Sequence, residues 1–157
     1  MSKQLLHNEA TRVFDELKLV GFRVQCSGEQ YINEIPKASI RLNERISEIK
    51  YVTKPSLQFG AFVVDSCSKE DGYWVCVEVQ KYEDIPDDMV SLTIPSQRYA
   101  VLRYKGPNYR IKDTYTNLHQ WIEQNKYKRL KDKWHLEIFY SFRDTENVDV
   151  ELLDTIE

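Results

Sequence analysis

Between residues 17 and 26 apolar and polar positions alternate. Val20, Phe22, Val24 and Cys26 fall on one side, and Leu19, Gly21, Arg23 and Gln25 on the other. A period of two marks a half-buried strand, and Ser27-Gly28 ends it. The period then changes. Ile35, Ala38, Leu42, Ile46 and Ile49 recur at spacings of three and four, the stripe of an amphipathic helix, with Pro36 suited to its first turn and Lys54-Pro55 closing it. Two more strands follow over residues 57–65 and 73–81, joined through a loop at 66–72. In the second, Tyr73, Val75, Val77 and Val79 share one face, and Trp74, Cys76 and Glu78 the other.

The order then starts again. Residues 89–94 and 97–104 read as strands broken by Pro95, and Ile111, Tyr115, Leu118 and Ile122 lay out a second amphipathic helix. Residues 135–141 and 148–153 read as the last two strands. Ile35, Leu42 and Ile46 map onto Ile111, Leu118 and Ile122 with one constant offset, and Phe22-x-Val24 lies almost the same distance from Tyr99-x-Val101. The pattern predicts an α+β fold of tandem duplicated β-α-β-β units with pseudo-two-fold symmetry. Two main helices would cover one face of an antiparallel sheet and a ligand cleft would occupy the other. Residues 1–16 read as a lead-in, a short helix or a mobile segment. Residues 17–157 read as one domain, with halves at about 17–88 and 89–157.

Composition narrows the function classes. A chain of 157 residues with net charge -3 lacks the basic footprint of general nucleic-acid binding. No apolar run reaches membrane-spanning length, and the first fourteen residues are too polar for a secretory signal, so a cytoplasmic location is expected. Cys26, Cys67 and Cys76 form no Cys-x-x-Cys pair, which argues against both disulfide staples and thiolate zinc sites. No metal or other cofactor is expected. Glu83, Asp84, Asp87 and Asp88 lack calcium-loop spacing and read as an exposed connection. Lys126, Lys128, Arg129, Lys131 and Lys133 follow a helix C-terminus, where cations suit the macrodipole, and read as a solvated loop.

The chemistry concentrates at residues 134–140, Trp-His-Leu-Glu-Ile-Phe-Tyr. On a strand, His135, Glu137 and Phe139 share one face. A carboxylate between an imidazole and a ring is poor core material, so Glu137 needs either a partner such as Arg23, Arg98 or Arg103, or a ligand. Trp74 and Phe139 share faces with Glu78 and Glu137 and are candidate cleft walls. Glu78 is a candidate second acid or a solvated strand residue. Tyr104 could offer a hydroxyl to a ligand or to Glu137. The helix offset sets Phe59 and Ala61 against His135 and Glu137, making Phe59 a candidate wall and Ala61 free space. His135 reads as an edge residue or hydrogen-bond partner rather than a base.

Several segments together resemble the gyrase-inhibitor-like (GyrI-like) effector-binding superfamily. They are residues 99–107 (Tyr-Ala-Val-Leu-Arg-Tyr-Lys-Gly-Pro), the helix carrying Trp121-Ile122-Glu123, and the Leu136-Glu137-Ile138-Phe139 strand. Residues 72–79 and 85–89 fit the family's middle section. The closest likeness is to the stand-alone, integron-associated members. The resemblance implies a deep cleft that binds lipophilic cations, with an acidic residue on a late strand amid aromatic rings, the position of Glu137. A fixed carboxylate attracts a cation through a low-dielectric wall, while flat ring faces tolerate varied shapes. The roughly sixteen residues ahead of the first strand cannot hold a helix-turn-helix, so direct DNA binding is not expected. His7, His119 and His135 do not match the family's haem-associated branch. The expected function is binding of amphipathic, cationic small molecules. The alternatives are hydrolysis of reactive electrophiles by the cleft glutamate, or a protein partner as the family name suggests.

Overall fold

The computed structural model describes residues 9–157. Its strands are β1 (Ala10–Phe14), β2 (Leu17–Val24), β3 (Gln58–Val63), β4 (Tyr73–Glu78), β5 (Val90–Ile94), β6 (Gln97–Gly106), β7 (Trp134–Ser141) and β8 (Val148–Ile156). The helices are α1 (Tyr31–Glu44) and α2 (Ile111–Gln124). The strands form one antiparallel sheet in the order β1-β6-β8-β7-β3-β4-β2-β5. The fold is α+β, and units β2-α1-β3-β4 and β6-α2-β7-β8 meet at the central pair β3 and β7. There Gly60 lies directly opposite Glu137.

Of the lead-in, residues 1–8 lie outside the described residues. Residues 10–14 form a strand rather than a helix or a mobile segment. β1 is joined to β2 by two residues, yet it pairs with β6 in the other unit. β5 repeats the arrangement in reverse, pairing with β2 two residues ahead of β6. In the sheet order each such link joins positions six strand spacings apart, roughly 29 Å if the sheet were flat. Three Cα steps reach only about 11 Å. The sheet must therefore roll until its ends approach.

Rolling creates an inside and an outside. Leu19, Ala61, Cys76, Ile94, Tyr99 and Leu136, all essentially inaccessible, fill the inside as part of one cluster drawn from β2 to β8. Outside, α1 lays Leu42 over Val20, Phe22, Val75 and Val77. α2 lays Leu118 and Ile122 over Ala100, Leu102, Val150 and Leu152. Each helix thus covers the outer strands of its own unit and leaves the central pair uncovered. The cavity lies above that pair, on the same face as the helices, and this corrects the expectation of a cleft on the opposite face. That face is closed because the rolled sheet packs it against itself.

The duplication also sits in a different register. Both helices have fourteen residues and follow a short 3-10 turn, Gly28–Gln30 and Asn108–Arg110. Tyr31 therefore corresponds to Ile111, Ile35 to Tyr115, and Leu42 to Ile122. The pairing of Ile35 with Ile111 is slipped by one helical turn, a shift that leaves an apolar stripe looking the same. Phe22 corresponds to Leu102, both under helices, whereas Tyr99 lies inside the roll. Pro36 is not in the first turn of α1 but inside the helix, where it removes the hydrogen bond to the Ile32 carbonyl. Among the described residues no helix is long and apolar enough to cross a membrane.

β2 runs so close to β4 that a Cβ on Gly21 would lie 2.0 Å from the Val75 carbonyl oxygen and 2.7 Å from Cys76 Cα. Both are backbone atoms of a central strand and have no rotamer to yield. Gly21→Ala is expected to lower stability by about 2 kcal/mol or more, measured by urea unfolding. A change below 0.5 kcal/mol would contradict this close approach.

Candidate functional site

The cavity above β3 and β7 has a volume of about 580 Å³, within the range of small-molecule sites. α1 supplies Tyr31, Ile32, Ile35 and Pro36 as one wall, and the start of α2 supplies Ile111 and Lys112. Ile32 and Tyr109 are about half exposed and stand at the rim. Gln58, 3% exposed, is held at the floor by Ser39: its Nε2 donates to the Ser39 carbonyl at 2.9 Å, and Ser39 Oγ donates to its Oε1 at 2.5 Å.

Glu137 lines this cavity and is 8% exposed. The Tyr73 hydroxyl donates to Oε1 at 2.5 Å and the Tyr115 hydroxyl to Oε2 at 2.6 Å. The first tyrosine comes from β4 and the second from α2, so the carboxylate ties the two units together. Among the described residues Glu137 has no salt bridge. Arg23 donates to the Asp71 and Ser68 carbonyls, Arg103 pairs with Asp149 at 2.8 Å, and Arg98 lies over the Tyr127 ring. Burial raises the Glu137 pKa above the usual carboxylate range, and the two phenol hydrogen bonds oppose it. Both tyrosines are pushed well above their ordinary values, by burial first and then by the adjacent Glu137.

Glycine makes this geometry possible. A Cβ on Gly60 would lie 1.7 Å from the Tyr73 hydroxyl oxygen, so the tyrosine reaches Glu137 across the space a side chain would fill. Phe62 stacks on Tyr73 at 6.0 Å and on His135 at 5.7 Å, and meets Tyr115 edge-on at 6.5 Å. It packs against both phenols that hold the carboxylate.

The residues singled out from sequence separate into two groups. Glu137 and Phe139 line the cavity, and Phe59 borders it from β3 while packing in the cluster inside the roll. Trp74, Glu78 and Tyr104 lie elsewhere. Trp74 is inside the roll, edge-on to Trp134 at 4.9 Å with the Arg23 guanidinium 4.5 Å from its ring centroid. Glu78 pairs with Lys54 at 2.7 Å, and the Tyr104 hydroxyl donates to the Pro107 carbonyl at 2.7 Å. Alternation explains the displacement of Trp74 and Glu78: they occupy the face of β4 opposite Tyr73. Ala61 is also inside the roll, and Gly60, not Ala61, faces Glu137. His135 is a buried hydrogen-bond partner, its Nε2 lying 3.1 Å from the Leu130 carbonyl and its Nδ1 3.2 Å from Asp154. The acidic connection is exposed and carries ion pairs, Lys50 with Asp84 and Arg45 with Asp88. No metal-binding cluster occurs among the described residues.

The sequence reading missed Tyr73, Tyr115, Phe62 and Gly60. A usable signal was present: a tyrosine within an apolar stripe carries a hydroxyl that needs a buried partner. Tyr73 among valines and Tyr115 among the apolar positions of α2 are such cases.

In comparison with solved structures, the chain superposes on SAV2435 bound to tetraphenylphosphonium with a TM-score of 0.72 and 17% identity, covering 96% of this chain and 94% of that one. It superposes on EcmrR in its DNA complex with a TM-score of 0.70 and 20% identity. That match covers 98% of this chain but only 58% of the EcmrR chain. The integron cassette protein VCH_CASS2 from Vibrio cholerae aligns with a TM-score of 0.54 and 14% identity, covering 96% and 97% of the two chains. At these identities the likeness is one of fold. Comparison with curated protein sequences gave no match. The family model for integron-associated effector binding proteins (Cass2) matches residues 13–153, nearly the whole chain. The chain belongs to the integron-associated effector binding protein family, within the GyrI-like effector-binding superfamily.

Proposed function

We propose that the cavity between the helices binds amphipathic organic cations and that Glu137 is their charge anchor. One observation carries this reading: a buried carboxylate, held by two neutral donors and by no cation among the described residues, on the wall of a largely apolar cavity. Phenol hydrogen bonds orient the charge without cancelling it, so its field remains available to a ligand. Phe139, Phe62 and Tyr31 offer ring faces and edges to the apolar body of the ligand. The binding of tetraphenylphosphonium by SAV2435 makes that cation the natural probe. The hydrolytic alternative is less favoured, because both oxygens of Glu137 already accept phenol hydrogens, leaving less of the carboxylate to activate water.

Calorimetry with tetraphenylphosphonium should show binding to the wild type that weakens at least tenfold in Glu137→Gln, a loss of about 1.4 kcal/mol or more. A neutral aromatic of similar size should bind both proteins alike. Equal affinity of the cation for both would refute the role of Glu137.

The affinity should also depend on pH in a definite direction. A cation favours ionised Glu137, so binding expels the proton wherever the free protein holds one. The folded-state pKa is raised. Affinity should therefore be full above that pKa, fall as pH drops through it, and begin to fall at higher pH than an exposed glutamate would dictate. Titrations in buffers of different ionisation enthalpy would register the released proton, and Glu137→Gln should flatten the profile.

Gly60→Ala tests the support of the carboxylate. The added methyl would displace the Tyr73 hydroxyl, and cation affinity should drop several-fold while Tyr73→Phe produces a comparable loss. If Gly60→Ala binds like wild type, Tyr73 is not what aims Glu137.

A further inference from the structure

On the far side of Tyr115 and Phe62 lies a second, smaller cavity of about 260 Å³, bordered also by Val64, His119, Arg129, Lys131, His135 and Asp154. Its charge balance is opposite to that of the first. Asp154 is its only acid, and both of its oxygens are taken. Oδ1 lies 3.0 Å from Arg129 Nε and 3.2 Å from His135 Nδ1, and Oδ2 lies 2.7 Å from His119 Nε2. Those contacts with His135 and Arg129 hold the Asp154 pKa below its ordinary value although burial pushes it up, so the group stays ionised and paired. Arg129 engages Asp154 through Nε alone, and its two terminal nitrogens have no partner among the described residues. The Lys131 ammonium has none either; only the Lys131 backbone carbonyl is used, accepting from the Asp65 amide. Two cations thus border the cavity against one spent carboxylate, in a protein whose net charge is -3.

We propose that this cavity is a binding site for small aromatic carboxylates, separate from the cation cavity and unassigned by it. The terminal N–H groups of a guanidinium fit a carboxylate in two-point fashion, and Lys131 adds a mobile positive charge at the mouth. Phe62, Tyr115 and Val64 present the apolar wall against which a ring would lie. The duplication provides the reason for two chambers. In the helix register His119 corresponds to Ser39 and Tyr115 to Ile35. Tyr115 and His119 of α2 thus border the second chamber where Ile35 and Ser39 of α1 border the first, and Phe62 and Val64 border both. The inference stands on the lining of the second cavity and holds whether or not the first binds cations.

Benzoate is the probe, with benzyl alcohol as its neutral control, followed by calorimetry on the full chain at low ionic strength. Benzoate should bind the wild type and benzyl alcohol should bind at least fivefold more weakly. Lys131→Gln should weaken benzoate at least fivefold, and Lys131→Glu should weaken it further. Lys131 is exposed and unpaired among the described residues, so these variants are expected to fold normally, with circular dichroism as the check. Added salt should lower the affinity. Tetraphenylphosphonium, if it binds, should bind together with benzoate. Absence of benzoate binding to folded wild type, unchanged affinity in both Lys131 variants, or strict competition between the two probes would overturn the proposal.

Discussion

Two links of two residues each shape this molecule. β1 and β2, and likewise β5 and β6, are adjacent in the chain but far apart in the order of the sheet. Backbone length then leaves no flat solution, and the sheet rolls. The roll closes one face around a shared core and leaves the other convex. Two helices of fourteen residues cannot cover eight strands on a convex face. They cover the outer strands of each unit and leave the central pair open, which is where the cavity lies. The location of the site is thus a geometric result of chain connectivity, reached before any side chain in it is considered.

Within that frame the units differ where it matters. The central pair sets Gly60 against Glu137. One unit supplies the charge, and the other supplies the gap through which Tyr73 reaches it. Burying a carboxylate without a cation costs several kcal/mol unless donors satisfy it, and here two phenols from different units serve as donors. Burial raises the Glu137 pKa, and the two phenol hydrogen bonds act against that rise.

Much of this was legible in the sequence, for identifiable reasons. Alternation in residues 17–26 and 73–81 and the three-four spacing from Ile35 and from Ile111 give the elements, because those periods follow directly from strand and helix geometry. Glu137 stood out because a carboxylate amid rings violates the pattern of a core strand. Other features were hidden by symmetry of pattern. An apolar stripe shifted by one turn matches itself, so the pattern alone pairs Ile35 with Ile111 rather than with Tyr115. Period two divides β4 into two faces without saying which one faces the helices, so the pattern alone points to Trp74 and Glu78 as readily as to Tyr73. The strand at Ala10–Phe14 was obscure because its partner, β6, lies more than eighty residues away in sequence and its burial is slight. The helix offset points to Phe59, which does border the cavity, whereas the Tyr104 hydroxyl turns to the nearby Pro107 carbonyl, a local contact that strand periodicity does not show.

The exchanged edge strands also govern how the molecule is assembled. Each unit borrows its outermost strand from the chain segment that introduces the other, so neither is a closed body by itself. A polypeptide cut at the midpoint would release two pieces, each with an unpaired edge that only the other can cover. Such halves are bound to one another as co-dependents.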